Sequence, residues 1–401
     1  MAGNPFTVMF CPWNKIVTFV TVFTLFVVLA TSVIHAAPIK IPRNDTSVTL
    51  PPDNFQEFIT SFKFLEWGVT VLESHDGVLW ATRLDRENDH DPHAQRWRTG
   101  YLLKSFDHGE SWAFVHYFPK PVNAIYMDDF GNLFVTTSVD RGSPIHTGQL
   151  HKSTDGGKTF RVVLDVLSGV PLRWNIASQN GTMFISEYGY KGHGDNARRI
   201  YRSLDFGDTW ELIFEPEPMH NFHMHITLMM EDGTVYQSIG DGHHAQIMRS
   251  LDNGYTWDTV VAGLQPTSAV VFDTHILWGL DGGPWYGIAR YDRATGETTR
   301  ALTTPSPFGS SSYDMAFVHD IVYAMFLSYE GYDHPASIFF SEDEGDTWQL
   351  LGYITGAPGF GIGLIHLVVD DKFGYIDIGT PIYRNGEVEF FRGTLRFELL
   401  R

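Results

Sequence analysis

Two short histidine-containing segments carry the side chains best suited to metal or acid–base chemistry. His223 and His225 are two residues apart in a predicted strand, so both imidazoles point to the same side of it. Asp241, His243 and His244 follow the next predicted strand of the same unit. His223, His225 and His243 could together bind a divalent metal ion such as zinc. One alternative is metal-free acid–base catalysis by His223, His225 and Asp241. In the others the histidines bind sugar hydroxyls or only complete structural hydrogen bonds.

A second group of candidate catalytic residues is the pair Glu187 and Tyr188. Glu187 follows a predicted inner strand at residues 183–185, so we expect it to face the middle of the fold. A carboxylate beside a phenol can act as general base and nucleophile, or as an acid beside a ring on which a sugar stacks. In the alternative interpretation, Glu187 is a structural residue that forms an ion pair with Arg198 or Arg199.

Aromatic and basic residues near these segments predict a site for a polar, anionic ligand. Asp281, Trp285 and Tyr286 would form a carboxylate beside an aromatic ledge on which a sugar ring can stack, unless Trp285 packs on a neighbouring unit. Guanidinium groups bind carboxylates through two parallel hydrogen bonds. The residues that we assign to ligand binding are Arg83, Arg98, Arg198, His243, His244, Asp281, Trp285 and Tyr286.

A repeated eight-residue pattern indicates the elements that must position these side chains. The pattern is Ser-x-Asp-x-Gly-x-Ser/Thr-Trp/Phe, and its copies begin at residues 105, 153, 203, 250 and 341. The starts are 48, 50, 47 and 91 residues apart, and a decayed copy at 291–298 lies in the longest gap. Each copy predicts a hairpin turn in which Asp accepts hydrogen bonds from the backbone and Gly takes a positive φ.

Each repeat contains four short segments rich in β-branched and aromatic residues, which is the content of one propeller blade. In one repeat the segments are 124–127, 133–137, 149–152 and 161–164. Six turns mark six blades, and further segments at 365–369, 375–378, 382–383 and 388–391 predict a seventh blade without the motif. We predict an all-β chain with a single β-propeller of seven four-stranded blades, with six blades as the alternative. Residues 55–64 or 394–400 would close the ring.

The predicted blades also indicate where a site would lie. If the repeated turns join the third and fourth strands, the loops between the second and third strands lie on the opposite face. Those loops and one crossing segment hold 10 of the 18 histidines. Loops from every blade converge there around the axis, so we expect a ligand site on that face, against the alternative of a merely solvated loop face.

The repeated turn resembles the Asp-box, or BNR repeat, and residues 60–393 resemble the sialidase-like and glycosyl hydrolase-like Asp-box propellers. Sialidases carry an Arg-Ile-Pro motif before the first box, and this sequence has none, so the resemblance indicates the wider group rather than a sialidase. Some seven-bladed propellers are polysaccharide lyases, which use His or Tyr as the base and Arg or a metal to neutralise a uronic carboxylate.

The resemblance and the residues of the loop face together predict a carbohydrate-active enzyme. It would be a glycoside hydrolase or polysaccharide lyase that acts on an acidic glycan. The candidate catalytic residues are Glu187, Tyr188, His223, His225 and Asp241. The alternative is a non-catalytic propeller that binds a glycan or a protein.

The N-terminal segment is typical of secretory targeting. Residues 16–34 contain no charge and follow Lys15, and small residues come after the apolar run. The run is also nearly long enough to span a bilayer. We predict a signal peptide or type II signal anchor at 1–37, a linker at 38–54 and the propeller at 55–401. Asn44 and Asn180 lie in Asn-x-Thr sequons, which agrees with a secreted or lumenal chain that contacts a membrane only through residues 16–34, if uncleaved.

Composition excludes several classes of function. The chain has a net charge of −19, which disfavours contact with negatively charged phosphate backbones. We therefore predict no nucleic-acid binding. Cys11 is the single cysteine of the chain. A disulfide framework and a cysteine-ligated zinc site are therefore excluded.

Overall fold

Seven antiparallel sheets form a ring in the computed structural model, and each sheet is one blade of a β-propeller. The prediction of an all-β, seven-bladed propeller is confirmed. The structure describes residues 48–49, 63–84, 98–138, 148–167, 169, 171–188, 197–217, 223–282, 286–304, 311–327, 336–354, 363–384 and 387–400.

The predicted targeting segment at 1–37 and the sequon at Asn44 lie outside the described residues. Of the predicted linker, 38–54, the structure describes β1 (Val48–Thr49), which pairs with a strand of the sixth blade. Within the described part of the chain, no helix is both long and apolar enough to cross a membrane.

The first three blades follow one another along the chain, and in each the strands are joined in sequence order. Blade 1 contains β3 (Val69–His75), β4 (Val78–Leu84), β5 (Arg98–Ser105) and β6 (Ala113–Tyr117). Blade 2 contains β7 (Val122–Met127), β8 (Leu133–Ser138), β9 (Gly148–Ser153) and β10 (Arg161–Asp165). Blade 3 contains β11 (Ile176–Gln179), β12 (Thr182–Ser186), β13 (Ile200–Ser203) and β14 (Glu211–Phe214).

The next three blades repeat this order. Blade 4 contains β15 (Met224–Met229), β16 (Val235–Ile239), β17 (Gln246–Ser250) and β18 (Asp258–Ala262). Blade 5 contains β19 (Pro266–Val271), β20 (His275–Leu280), β21 (Gly287–Asp292) and β22 (Thr298–Leu302). Blade 6 contains β23 (Ser311–Val318), β24 (Ile321–Leu327), β25 (Ala336–Ser341) and β26 (Trp348–Ile354), with β1 parallel to β26 as a fifth strand.

Blade 7 closes the ring with strands from both ends of the described chain. It contains β27 (Gly363–Val369), β28 (Phe373–Arg384), β29 (Glu387–Glu398) and β2 (Lys63–Trp67). Lys63 pairs with Arg396 and Phe64 with Leu395, so the two segments considered for closure join each other. The four strands predicted within 365–391 are corrected to three, because β28 continues through both 375–378 and 382–383.

The repeated turns share one hydrogen-bonding arrangement. Ser203 Oγ donates to Asp205 Oδ1 and accepts the Gly207 N–H, each at 2.8 Å. Asp205 accepts the Thr209 N–H at 2.8 Å and the Thr209 hydroxyl at 2.6 Å. These bonds from Thr209 lower the pKa of Asp205 to about 2. The same four bonds recur in the turns that begin at Ser105, Ser153, Ser250 and Ser341.

The glycine of each turn is required by both conformation and space. Gly207 has a φ of +77°, and a Cβ there would lie 2.6 Å from the Phe134 ring of the preceding blade. The turn therefore packs against its neighbour, and only glycine fits there without displacing that ring.

The hydrophobic core lies mainly between adjacent blades. Trp348 and Phe339 of blade 6 share one buried cluster with Leu277 and Ile288 of blade 5. Burial of such apolar surface drives the blades together. The first strands of neighbouring blades contact one another, and β7 is joined to β11 by the Tyr126–Ser178 hydrogen bond. The strands β3, β7, β11, β15, β19, β23 and β27 therefore surround the axis.

Candidate functional site

A short 3₁₀ helix, Arg173–Asn175, precedes β11 and anchors the central part of the molecule. Asn175 is fully buried, and its side-chain amide donates to the backbone carbonyl of His225 at 2.6 Å and to Ser186 Oγ at 3.0 Å. These bonds tie the helix to blades 3 and 4. They fix the two residues before Asn175, Arg173 and Trp174, at the axis.

An axial cavity of about 500 Å³ is lined by residues from the inner strands of all seven blades. Its size lies within the range of small-molecule sites. The polar groups that could do chemistry in it are Glu73, Tyr126, Arg173, Asp314 and His366.

Arg173 and Glu73 form an ion pair inside this cavity. Arg173 Nε donates to Glu73 Oε2 at 2.9 Å, and the guanidinium carbon lies 4.9 Å from the centre of the Tyr126 ring. The Tyr126 hydroxyl is 2.7 Å from Ser178 Oγ. Because 39% of the Arg173 side chain remains exposed, its Nη groups can still bind an anionic ligand.

Asp314 is a cavity residue with strongly perturbed acidity. Burial raises the pKa of its carboxyl group to about 7, against the opposing effects of hydrogen bonds from the Leu367 and Met315 backbones and of the Arg173 charge. Asp314 Oδ1 accepts the Met315 N–H and Oδ2 accepts the Leu367 N–H, each at 3.0 Å. His366 Nδ1 is 4.0 Å from Oδ2. A carboxyl group with a pKa near neutrality can both donate and accept a proton during catalysis.

A second polar cluster lies where β15 begins and β16 ends, in blade 4. The Nε2 atoms of His223 and His225 are 2.7 Å apart, and Asp241 Oδ1 lies 3.7 Å from the first and 3.5 Å from the second. Gln265 Nε2 donates to Asp241 Oδ1 at 2.6 Å and to Asp281 Oδ2 at 3.3 Å. The structure therefore brings together His223, His225 and Asp241, as the sequence predicted, and places Asp281 beside them.

The two imidazoles are held in the neutral form. Burial lowers the pKa of His225 well below its usual value, and the neighbouring His223 adds to that effect. Burial also lowers the pKa of His223, while the Asp241 charge acts in the opposite direction. Each neutral ring therefore has one nitrogen lone pair at neutral pH.

Aromatic rings connect this histidine cluster to the axial cavity. The Tyr188 ring lies 4.8 Å from the His223 ring, and the Trp174 ring lies 5.7 Å from Tyr188 and 6.0 Å from His366. A continuous set of rings thus runs from the start of β15 to the groups that line the cavity.

Glu187 lies in an internal ion pair. Its side chain is fully buried, Oε1 accepts the Tyr201 hydroxyl at 2.9 Å, and Oε2 accepts Arg199 Nη1 at 3.2 Å. Arg198 donates to Glu215 at 2.9 Å and to the Pro216 carbonyl at 2.6 Å. This is the arrangement of a structural ion pair, the alternative that the sequence left open.

The remaining predicted ligand-binding residues lie in several places. Arg83 is in β4 of blade 1, opposite Val69, and so is three blades along the ring from the histidine cluster. His244 ends a 3₁₀ helix, Gly242–His244, that follows Asp241. Tyr286 is exposed. The side chains of Arg98 and His243, and the whole of Trp285, lie outside the described residues.

Sequence reasoning missed Glu73, Tyr126, Asp314 and His366 as site residues. Each occurs singly in the middle or second half of an inner strand, in a different blade, so no local motif joins them. The usable signal was a single ionisable residue in a strongly apolar predicted inner strand, such as His366 in Gly363–Val369. The expected loop face also differs from the cavity, whose walls are mainly inner strands.

Comparisons with known proteins show the fold alone. No protein-family model matches this sequence, and no curated protein is significantly similar to it. YCF48 from Cyanidioschyzon merolae has a similar structure, with a TM-score of 0.51 and 15% identity over 84% of this chain and 98% of that chain.

Two enzyme structures are similar in the same way. A prolyl endopeptidase matches with a TM-score of 0.50 and 10% identity over 85% of this chain and 52% of that chain. The GH74 enzyme of Niastella koreensis matches with a TM-score of 0.49 and 16% identity over 72% of this chain and 46% of that chain.

Proposed function

We propose that this chain is a carbohydrate-active enzyme that acts on an acidic glycan in the axial cavity. The observation that carries the proposal is the presence of Asp314 in the same cavity as the Glu73–Arg173 ion pair. One carboxyl group thus has a pKa near neutrality, and the other is paired with a cation. Such a difference between two carboxyl environments is the usual basis of an acid and base assignment.

In a hydrolase, Asp314 would protonate the leaving glycosidic oxygen. Glu73 would act as the base for water or as the nucleophile, as the second carboxylate does in glycoside hydrolysis. Arg173 would bind a ligand carboxylate through the part of its guanidinium group that the cavity leaves exposed.

A lyase reaction uses other groups of the same cavity. His366 would remove the proton α to a uronic carboxylate, and Arg173 would stabilise the negative charge that develops on that carboxylate. The glycosidic C–O bond at the β carbon would then break to form the C=C bond, and Asp314 would protonate the leaving oxygen. Both reactions share the substrate class, an acidic glycan, and the cavity.

A panel of uronic-acid and sialic-acid glycans tests the proposal with the purified full-length chain. Rising ultraviolet absorbance from a new C=C bond would identify a lyase, and new reducing ends without that absorbance would identify a hydrolase. Asp314→Asn is the matched inactive variant. Absence of turnover across the panel by the folded wild-type protein would contradict the enzyme proposal.

The second candidate is a non-catalytic propeller that binds a glycan or a protein. It is favoured by the hydrogen bonds of Asp314, because both of its oxygens accept backbone N–H groups and so also serve the structure. Binding in the same panel without any turnover, and loss of that binding in Arg173→Gln, would select it.

The proposed location is secreted or lumenal, with the 1–37 segment as a cleaved signal or as a type II anchor. We further propose that the repeated turns are Asp-boxes and that the chain is related to the sialidase-like propellers. We also propose that glycans are attached to it. Asn180 is exposed in a turn, with a φ of +51°, so it is accessible to a glycosylating enzyme. Loss of a glycosidase-sensitive mobility shift in Asn180→Gln is the expected result.

A further inference from the structure

The histidine cluster of blade 4 brings three potential metal ligands, His223, His225 and Asp241, close to one another. We propose that His223, His225 and Asp241 bind one divalent transition-metal ion, for which Zn²⁺ is the appropriate probe. This site would bind its ion whether or not the axial cavity has enzyme activity.

The three ligand atoms can all reach one point. The separations of 2.7, 3.5 and 3.7 Å between the two Nε2 atoms and Asp241 Oδ1 define a triangle with acute angles. A point inside this triangle lies about 2 Å from each atom, and zinc bonds to imidazole nitrogen and carboxylate oxygen are about 2.0–2.2 Å long. An ion could therefore bind with little movement of the three side chains.

The donor types select the class of metal. Calcium and magnesium prefer sets of oxygen ligands, whereas imidazole suits zinc, copper, iron and nickel. Two imidazoles and one carboxylate supply three protein ligands, which is the number found in zinc sites that keep a further position for water or substrate.

A supporting residue orients the carboxylate. Gln265 Nε2 donates to Asp241 Oδ1 at 2.6 Å and so holds the oxygen that faces both imidazoles. Metal-binding carboxylates are commonly oriented by such outer hydrogen bonds, whose loss typically weakens metal binding about 10- to 100-fold. His225 is buried and His223 nearly so, which limits competition from water for their nitrogens.

A second His–Asp cluster provides a contrast within the same molecule. His108 Nδ1 lies 2.8 Å from Asp370 Oδ2, with Asp371 nearby. The Asp370 oxygens, however, also accept the Tyr375 hydroxyl at 2.5 Å and the backbone N–H groups of Lys372 and Phe373 at 2.7 and 2.6 Å. The Asp370 carboxylate is therefore occupied by hydrogen bonds from Tyr375 and from the backbone between β27 and β28, and we expect no metal there.

Zinc binding by the purified full-length chain tests the assignment. We expect one Zn²⁺ per chain after dialysis against trace zinc, measured by elemental analysis and by calorimetric titration. Asp241→Asn should weaken binding at least tenfold, and Gln265→Ala by about tenfold. His223→Gln combined with Asp241→Asn should remove stoichiometric binding.

The matched control is His108→Asn, which removes a histidine from the other cluster. Asparagine suits this position because His108 has a φ of +56°. The control should bind zinc as the wild type does. Bound Co²⁺ should also give the visible absorption of a site with nitrogen ligands, and that absorption should be lost in the double variant.

The assignment is overturned if the wild-type chain retains no stoichiometric zinc. It is also overturned if Asp241→Asn binds zinc like the wild type. The Asp241 side chain is partly exposed, so the variant should fold, and circular dichroism checks this. Equal loss of binding in His108→Asn would show surface adsorption instead. In those cases the two imidazoles form only a hydrogen bond to each other.

Discussion

Two Arg–Glu pairs in this propeller contain the same chemical groups and differ in what surrounds them. In the Glu187–Arg199 pair, the carboxylate is fully buried and the arginine nearly so. In the Glu73–Arg173 pair, the arginine side chain is 39% exposed and the pair borders a cavity of about 500 Å³. Residue types alone therefore do not distinguish a structural pair from a site.

A tyrosine accompanies each pair, and it shows the same difference. The Tyr201 hydroxyl donates to Glu187 and so takes part of the hydrogen-bonding capacity of that carboxylate. The Tyr126 hydroxyl bonds to Ser178, and its ring lies against the Arg173 guanidinium group. The pair in the cavity retains donors for a ligand, whereas the pair at Glu187 is committed to the fold.

The largest expected effect is on stability at the buried pair. Glu187→Ala should lower the free energy of unfolding by about 3 kcal/mol, because the buried Tyr201 hydroxyl loses its acceptor and Arg199 keeps only the partly exposed Glu215 as a partner. The matched variant Glu73→Ala should cost about 1 kcal/mol, since water in the cavity can solvate Arg173. Urea denaturation of both variants measures this, and equal losses would remove the distinction between the two pairs.

The next effect is on turnover. Asp314→Asn should reduce the rate on the glycan substrate at least about 100-fold, because proton transfer by the cavity carboxyl is lost. Glu187→Gln, which keeps the shape of the buried pair, should retain a rate per folded molecule within about threefold of wild type. A larger loss of turnover in Glu187→Gln than in Asp314→Asn would place the chemistry at Glu187 and Tyr188, where the sequence predicted it.

The pH dependence of stability also distinguishes the axial cavity from the buried Glu187–Arg199 pair. The pKa of Asp314 is about 7 in the folded chain and 3.8 in its ordinary state, so the folded chain holds an extra proton between these values. The contribution of Asp314 to stability therefore falls as pH rises from about 4 to about 7, by roughly 3 kcal/mol. Denaturation of wild type and Asp314→Asn at both ends of this window checks it. A variant with the same pH dependence as wild type would show that Asp314 is not the cause.

The sequence predicted the features of the fold that depend on short-range pattern. The turns at Ser105, Ser153, Ser203, Ser250 and Ser341 each contain all of their hydrogen-bonding groups within eight residues, so the motif alone indicated them. The closure of the ring could not be assigned in this way. It depends on the pairing of Lys63 with Arg396, which are far apart in the chain.

The candidate site likewise contains some residues that the sequence predicted and others that it did not. His223, His225 and Asp241 were predicted to meet because they lie at the start and end of two adjacent strands of one blade. Asp314 and Glu73 line one cavity only because the ring brings blades 6 and 1 to one axis. The role of Glu187 could not be decided from the sequence, because either Arg199 or a ligand could have been its partner. The structure shows that it pairs with Arg199.

The most direct test of the central claim, that the axial cavity is the ligand site, is the affinity for an acidic oligosaccharide in a matched pair of arginine variants. A uronic-acid tetrasaccharide is titrated calorimetrically into the wild type, Arg173→Gln and Arg198→Gln, with its carboxyl-reduced counterpart as the uncharged control. We predict that Arg173→Gln binds about tenfold more weakly or worse, because a charged hydrogen bond to the ligand is lost, and that Arg198→Gln binds like the wild type. Unchanged binding by Arg173→Gln, or an equal loss in Arg198→Gln, would contradict the account.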